Sequence, residues 1–192
     1  MAVGELLQHV GRIVYRGRPL HFGRTGAHRY DAPDGTYGVC YLSFDLATVL
    51  MESVFHQHRW HRQRRRSIAL AEVRARMVRA VGTVQELVLA DLTAPDVMAR
   101  HFGLNLAQLA SRRYQPTRRL SAAVHGLQDE DGRPAFDGLL YPSRNNYPAA
   151  CVALFERAAP KVDVLADIDL VDHAGWPGFV AGWAIGIVKG VT

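Results

Sequence analysis

The sequence predicts an α+β fold in which mixed sheets are flanked by helices. Three observations carry that expectation: alternating or continuous apolar runs near both ends of the chain, helix-period stripes between them, and no repeat or low-complexity linker to divide the 192 residues. At 48% apolar content there is ample material for a packed core, and one domain spanning residues 1–192 is expected.

The elements follow in chain order. After a short amphipathic start at Leu6, Leu7 and Val10, the alternation in Arg12-Ile-Val-Tyr-Arg16 predicts a brief strand, followed by a polar loop ending at the turn signal Asp34-Gly35. Thr36 to Leu42 sets bulky Tyr37, Val39 and Tyr41 among smaller neighbours, as a strand does. Ser43 to His56 predicts a helix, with Asp45 as N-cap and Leu46, Val49, Leu50 and Val54 at helical spacing. Glu52 follows Val49 by three residues and so neighbours the apolar stripe, where a carboxylate can point into a cleft.

Ser67 to Val78 fits period two only in part and leans to strand, and Glu86 to Leu92 is apolar enough to be another. A helical stretch is expected from Ala94-Pro95-Asp96 through Ala99, resuming after Gly103 towards Leu109, and a further helix from Gln115-Pro116-Thr117 carrying Leu120, Ala123, Val124 and Leu127. From Phe136 the chain turns β-rich, with runs at Phe136–Tyr141, Cys151–Phe155, Val164–Ile168 and Trp183–Val188.

The net charge of +5 favours an anionic partner, whether nucleic acid, a phosphate-bearing small molecule or an acidic protein. The excess is concentrated in Arg59, Arg62, Arg64, Arg65 and Arg66, a run that is ordinarily a solvated face. No apolar stretch reaches bilayer-spanning length, and Met1 to Glu5 lacks the basic segment of a signal peptide, so a cytoplasmic protein without membrane contact is expected. Cys40 and Cys151 sit in apolar runs without CxxC spacing and are expected to be buried thiols. The signatures of P-loops, Rossmann dinucleotide sites, zincins and nucleophile-elbow hydrolases are all absent. His56, His58 and His61 have no companion carboxylate or cysteine pattern, so no metal site is expected.

Arg16, Arg29, Tyr41, Glu52 and Ser143 remain, each at or near an element end where a polar group can face a cleft. Taken singly each has an ordinary surface, core or turn role. Their settings, however, form an ordered series: Tyr15-Arg16, His28-Arg-Tyr-Asp-Ala-Pro33, Val39-Cys-Tyr-Leu-Ser43, Leu50-Met-Glu52 and Phe136-Asp-Gly-Leu-Leu-Tyr-Pro-Ser-Arg144, continued by Cys151–Glu156 and Asp167–Leu170. In order and approximate spacing this series resembles the blocks of the RES-domain family, over nearly the whole chain.

The resemblance implies a fold similar to the catalytic core of diphtheria-toxin-like ADP-ribosyltransferases, and an activity that destroys NAD by hydrolysis, phosphorolysis or transfer of ADP-ribose to a protein. It implies the toxin of a type II toxin–antitoxin pair, in hetero-oligomeric complex with an antitoxin carrying an Xre-type helix-turn-helix region. By the same resemblance Arg16 and Arg29 would hold the phosphates and ribose, Glu52, with Arg16, would act at the reacting ribose, Tyr41 would stack on nicotinamide, and Ser143 would hold the nucleotide. The arginine run 59–66 has no counterpart in those blocks; it is a candidate docking surface or, in a reading of another class, a nucleic-acid-binding patch.

The chemistry of these residue types agrees with such roles. Breaking the bond between ribose and nicotinamide builds oxocarbenium-like charge on the sugar, and a carboxylate fixed beside it gains energy as that charge appears. Guanidinium groups match diphosphate oxygens in bidentate fashion, and with Lys161 and Lys189 the only lysines, arginine must supply most phosphate contacts.

Overall fold

The computed structural model of the chain describes residues 1–56, 66–94, 111 and 113–189. Its strands are β1 (Leu6–Arg12), β2 (Val39–Ser43), β3 (Ser67–Ala69), β4 (Arg76–Thr83), β5 (Leu89–Asp91), β6 (Gly138–Pro142), β7 (Ala150–Phe155), β8 (Val162–Asp169) and β9 (Gly186–Val188). The helices are α1 (Leu46–Glu52), α2 (Leu70–Arg74), α3 (Gln115–Gly126) and α4 (Trp176–Gly182). A seven-stranded sheet runs β5-β6-β7-β2-β1-β4-β8, antiparallel except for the β5–β6 pair, while β3 and β9 form a small parallel ribbon. The mixed α and β character expected from the sequence is present.

Strand β7 explains why the middle of the sheet reads as an unbroken apolar run. Cys151, Ala153 and Phe155 point to one side, where Tyr30, Leu139 and the α3 residues Leu120 and Val124 pack; Val152 and Leu154 point to the other, against Leu42, Leu87 and Val162. Both cysteines are buried and free. A third cluster joins Leu46, Val49 and Leu50 of α1 to Val73 of α2 and to Trp176 and Phe179 of α4. Gly138 lets β6 lie close along β7, because a Cβ there would overlap the Ala153 carbonyl oxygen.

Three sequence expectations shift. The first strand is Leu6–Arg12, and Ile13–Tyr15 is a 3-10 turn with exposed side chains. Its ladder with β4 ends at Arg12↔Arg76, so the alternation beyond has neither a pairing partner nor a core to enter. Ser67 to Val78 splits into β3, α2 and the start of β4: the strong helix formers of Leu70–Arg74 close a short helix that buries Val73 alone. Trp183 belongs to the end of α4, and the chain reverses through Ala184 at φ 48° before β9 begins at Gly186. The helical stretch expected from Ala94-Pro95-Asp96 through Ala99, and its resumption after Gly103 towards Leu109, lie outside the described residues apart from Ala94. Among the described residues no helix is long and apolar enough to cross a membrane.

Candidate active site

The site begins with a gap in the sheet. Strand β1 pairs with β4 from Leu6↔Gly82 to Arg12↔Arg76, and β2 pairs with β7 from Val39↔Phe155 to Ser43↔Cys151, but β1 and β2 meet at the single register contact Gln8↔Ser43. Beyond it they part, and the His9 imidazole Nδ1 meets the Tyr41 carbonyl at 3.0 Å in place of a ladder bond. A carbonyl can only accept, so Nδ1 carries the proton. Burial pushes the His9 pKa down, which keeps the ring neutral. In the opening lies a cavity of about 700 Å³, bordered by His9 and Val10 of β1, by Tyr41 to Ser43 of β2, and by Val49 and Glu52 of α1. That is room for a nucleotide-sized ligand.

Glu52 is fixed in this cavity from two sides. Helix α1 starts at Asp45, whose carboxylate accepts from Thr48 N at 2.8 Å and Thr48 Oγ1 at 2.7 Å, and its buried stripe of Leu46, Val49 and Leu50 sets the rotation that turns Glu52 to the cavity. Glu52 Oε1 then accepts from Ser143 Oγ at 2.7 Å and from the Asn145 backbone N–H at 2.8 Å. Ser143, 2% exposed, is itself held, because its Oγ accepts from Asn146 N at 2.9 Å. Asn146 Nδ2 returns to Thr48 Oγ1 at 2.7 Å, closing a ring of hydrogen bonds between segment 143–146 and both ends of α1. A carboxylate so held keeps one rotamer.

Tyr41 is held just as firmly. Its hydroxyl donates to Asp31 Oδ1 at 2.9 Å and accepts from Tyr30 N at 2.8 Å, while Asp31 Oδ2 accepts from Thr25 Oγ1 and from His28 N. Burial, reinforced by the Asp31 carboxylate, holds the Tyr41 pKa well above the usual phenol value. The phenol therefore acts as a fixed neutral group, with His28 edge-on at 5.8 Å between ring centroids. Arg29, 7% exposed, lies with its guanidinium 5.2 Å from the Tyr30 ring centre and 5.3 Å from that of Tyr141. Its carbonyl accepts from Thr117 Oγ1 at 2.6 Å, which docks α3 behind it.

The lining is cationic. Arg29, Arg76 and Arg144 face the cavity, and Glu52 is the one carboxylate lining it among the described residues. Arg76 is partly neutralised by an ion pair with Glu72, which also receives Arg12. Although burial acts to raise the Glu72 pKa, those two guanidinium groups hold it below the usual carboxylate range. A cavity with three guanidinium groups and one carboxylate suits a ligand that carries more than one negative charge.

Of the five residues singled out in the sequence, Arg29, Tyr41 and Glu52 line the cavity, and Ser143 joins them through its bond to Glu52. Arg16 stands apart from the lining. Its Nη1 donates to the Asp167 carbonyl at 2.8 Å and its Nη2 pairs with Asp169, while Gly17 N donates to Asp167 Oδ2. Sequence reasoning missed His9, Arg76 and Tyr114, which reach the cavity only through distant chain pairings; Asp31 and Arg144 fall inside the quoted blocks and could have been drawn from them. His56 lines the cavity and bonds Ser53 O through Nδ1, whereas His58 and His61 lie outside the described residues. No group of three or more metal-ligating side chains occurs among the described residues. Of the arginine run only Arg66 is described, with Nη1 at 3.1 Å from Met51 Sδ and its guanidinium 5.5 Å from the Trp183 ring centre.

Comparison with known proteins agrees with the ordered motifs. A search of curated proteins finds no match. The fold is similar to that of a chain in the crystal structure of the M. tuberculosis MbcT–MbcA toxin–antitoxin complex, with a TM-score of 0.66 and 14% identity, covering 94% of this chain and 91% of that one. At that identity the likeness is one of fold. The RES domain model matches residues 2–174, which takes in every residue placed at the cavity, and the chain belongs to the RES-domain family.

Proposed function

We propose that this protein is the toxin of a type II toxin–antitoxin system and that it degrades NAD by cleaving the bond between nicotinamide and ribose. The observation that carries this reading is the Glu52 carboxylate, clamped by Ser143 and Asn145 in a cavity that Arg29, Arg76 and Arg144 share. The diphosphate of NAD bears two negative charges, which the guanidinium groups match. As nicotinamide leaves, positive charge grows on the ribose beside Glu52, and because the carboxylate is already oriented it stabilises that charge without reorganisation. The phenol of Tyr41, its pKa raised well above the usual value by burial, offers nicotinamide a neutral aromatic face.

The same reading takes the fold as similar to the diphtheria-toxin-like ADP-ribosyltransferase core, with the parting of β1 from β2 as the binding crevice. It keeps Arg16 as a ligand for phosphate or ribose that exchanges its exposed pairing with Asp169 for the substrate. The likeness to a chain of a toxin–antitoxin complex supports an antitoxin partner, proposed to carry an Xre-type helix-turn-helix region and to cover the cavity in a cytoplasmic hetero-oligomer. Incubation of the purified protein with NAD tests the activity: nicotinamide is released in step with NAD loss. Product identification with and without added phosphate or acceptor protein then assigns hydrolysis, phosphorolysis or ADP-ribosyl transfer. Intact NAD after prolonged incubation would remove the activity.

A further inference from the structure

Arg144 sits between two residues committed to Glu52, yet its own side chain is committed to nothing charged. Ser143 Oγ and Asn145 N both turn to the carboxylate, while the Arg144 guanidinium turns towards Tyr114 at the start of α3, 5.9 Å from the ring centre and with Nη2 at 3.5 Å from the hydroxyl. Its Nε and Nη1 are buried and have no hydrogen-bond partner among the described residues, nor does it pair with a carboxylate among them. Two buried guanidinium nitrogens without acceptors are costly unless an anion completes them. Arg76, at the β4 border of the cavity, differs in degree: its Nε is also buried without a partner, but Glu72, shared with Arg12, meets part of its charge.

This contrast orients a dinucleotide. The nicotinamide ring of NAD is cationic until it leaves, so it is repelled more by an uncompensated guanidinium than by a partly compensated one. The diphosphate has the opposite preference. Tyr114 lines the cavity beside Arg144, with the Arg118 and Arg144 guanidinium groups 5.7 and 5.9 Å from its ring centre, so a base beyond a diphosphate held at Arg144 would meet this aromatic and cationic corner. We propose that Arg144 and Tyr114 form the subsite for the adenylate half of the substrate, the guanidinium taking the adenosine-side phosphate and the phenol ring lying against adenine. The assignment rests on the NAD reading of the cavity and makes these two residues determinants of dinucleotide specificity.

Calorimetric titration of adenosine monophosphate and of adenosine into the full-length protein tests it. Arg144→Gln is expected to weaken adenosine monophosphate by roughly tenfold or more and to leave adenosine within about twofold, since only the nucleotide loses a charge-assisted contact. Tyr114→Leu is expected to weaken both by roughly fivefold or more, through lost stacking. Failure of the wild type to bind adenosine monophosphate overturns the subsite, as does an Arg144→Gln variant that binds both ligands like the wild type or weakens both equally. Unchanged adenosine binding in Tyr114→Leu overturns the stacking role. Nicotinamide release is followed on the same preparations: its absence in the wild type with nucleotide binding intact overturns NAD cleavage and leaves the subsite standing.

Discussion

Substituting Glu52 by Gln separates what its carboxylate does for the fold from what the proposed NAD cleavage asks of it. The amide retains an oxygen where Oε1 accepts from Ser143 Oγ and Asn145 N, so the clasp between α1 and segment 143–146 persists. What disappears is the charge. A carboxylate about 4 Å from a full positive charge is worth about 4 kcal/mol at an effective dielectric near 20. Part of that attraction already exists in the ground state, because the nicotinamide ring is cationic before it leaves, and only the difference accelerates the reaction. Taking roughly three-quarters of the interaction as differential leaves about 3 kcal/mol, or roughly a hundredfold in rate. Single-turnover nicotinamide release at saturating NAD measures it, with urea unfolding as a control for the fold. A variant within about threefold of the wild-type rate, unfolding at the same urea concentration, would refute the electrostatic role.

Other substitutions probe the remaining parts. Arg16→Ala removes an exposed ion pair with Asp169 and an exposed hydrogen bond to the Asp167 carbonyl and should change stability by only about 1 kcal/mol, yet raise KM for NAD roughly tenfold; unchanged kinetics would take Arg16 out of the site. Tyr41→Phe leaves Tyr30 N without its acceptor and Asp31, 1% exposed, without one of its donors, so urea unfolding should register a loss of about 2–3 kcal/mol, and a loss below about 0.5 kcal/mol would contradict the network. The Arg79 hydrogen bond holds the Asp167 carboxyl below its usual 3.8, so its stabilisation is complete above that value and is lost as pH falls through the lower folded pKa; acid-unfolding curves of Asp167→Asn should be flatter there, and an unaltered curve counts against the linkage. Burial, then Arg157, pushes His125 from 6.5 down to about 4, so the unfolded chain takes up the proton first and stability falls as pH drops across that window. His9 and His173 are lowered in the same direction; His125→Phe should therefore reduce the slope of unfolding free energy against pH without abolishing it, and an equal slope would refute the assignment.

The legible parts of the fold were those whose signals are local. Asp45 announces α1 because a cap and a helical stripe occupy adjacent residues, and Gln115-Pro116 does the same for α3. The apolar run of β7 needs no partner to be recognised as buried on both faces. Arg12 to Arg16 misled because alternation says nothing about where a ladder stops: β4 begins at Arg76, and its pairing with β1 is a property of two segments more than sixty residues apart. Leu70 to Arg74 misled because a helix of one turn leaves too few buried positions for its period to be read.

The same distinction runs through the site. Arg29, Tyr41, Glu52 and Ser143 stand in short ordered blocks, so they could be singled out together before their positions at one cavity were known. The cavity that unites them has no block of its own, since it exists where β1 and β2 stop pairing after Gln8↔Ser43. Continued pairing would carry the ladder through Tyr41 and Val10 and close the space; instead the His9 imidazole satisfies the Tyr41 carbonyl from the side, so the strands part without leaving that acceptor unpaired. His9 and Arg76 reach the site from the β1–β4 side of this opening, and Arg29, Tyr41 and Ser143 from the other. Residues from two strand groups can line one cavity only because the sheet is incomplete between them, which makes the missing ladder as much a part of the site as any side chain.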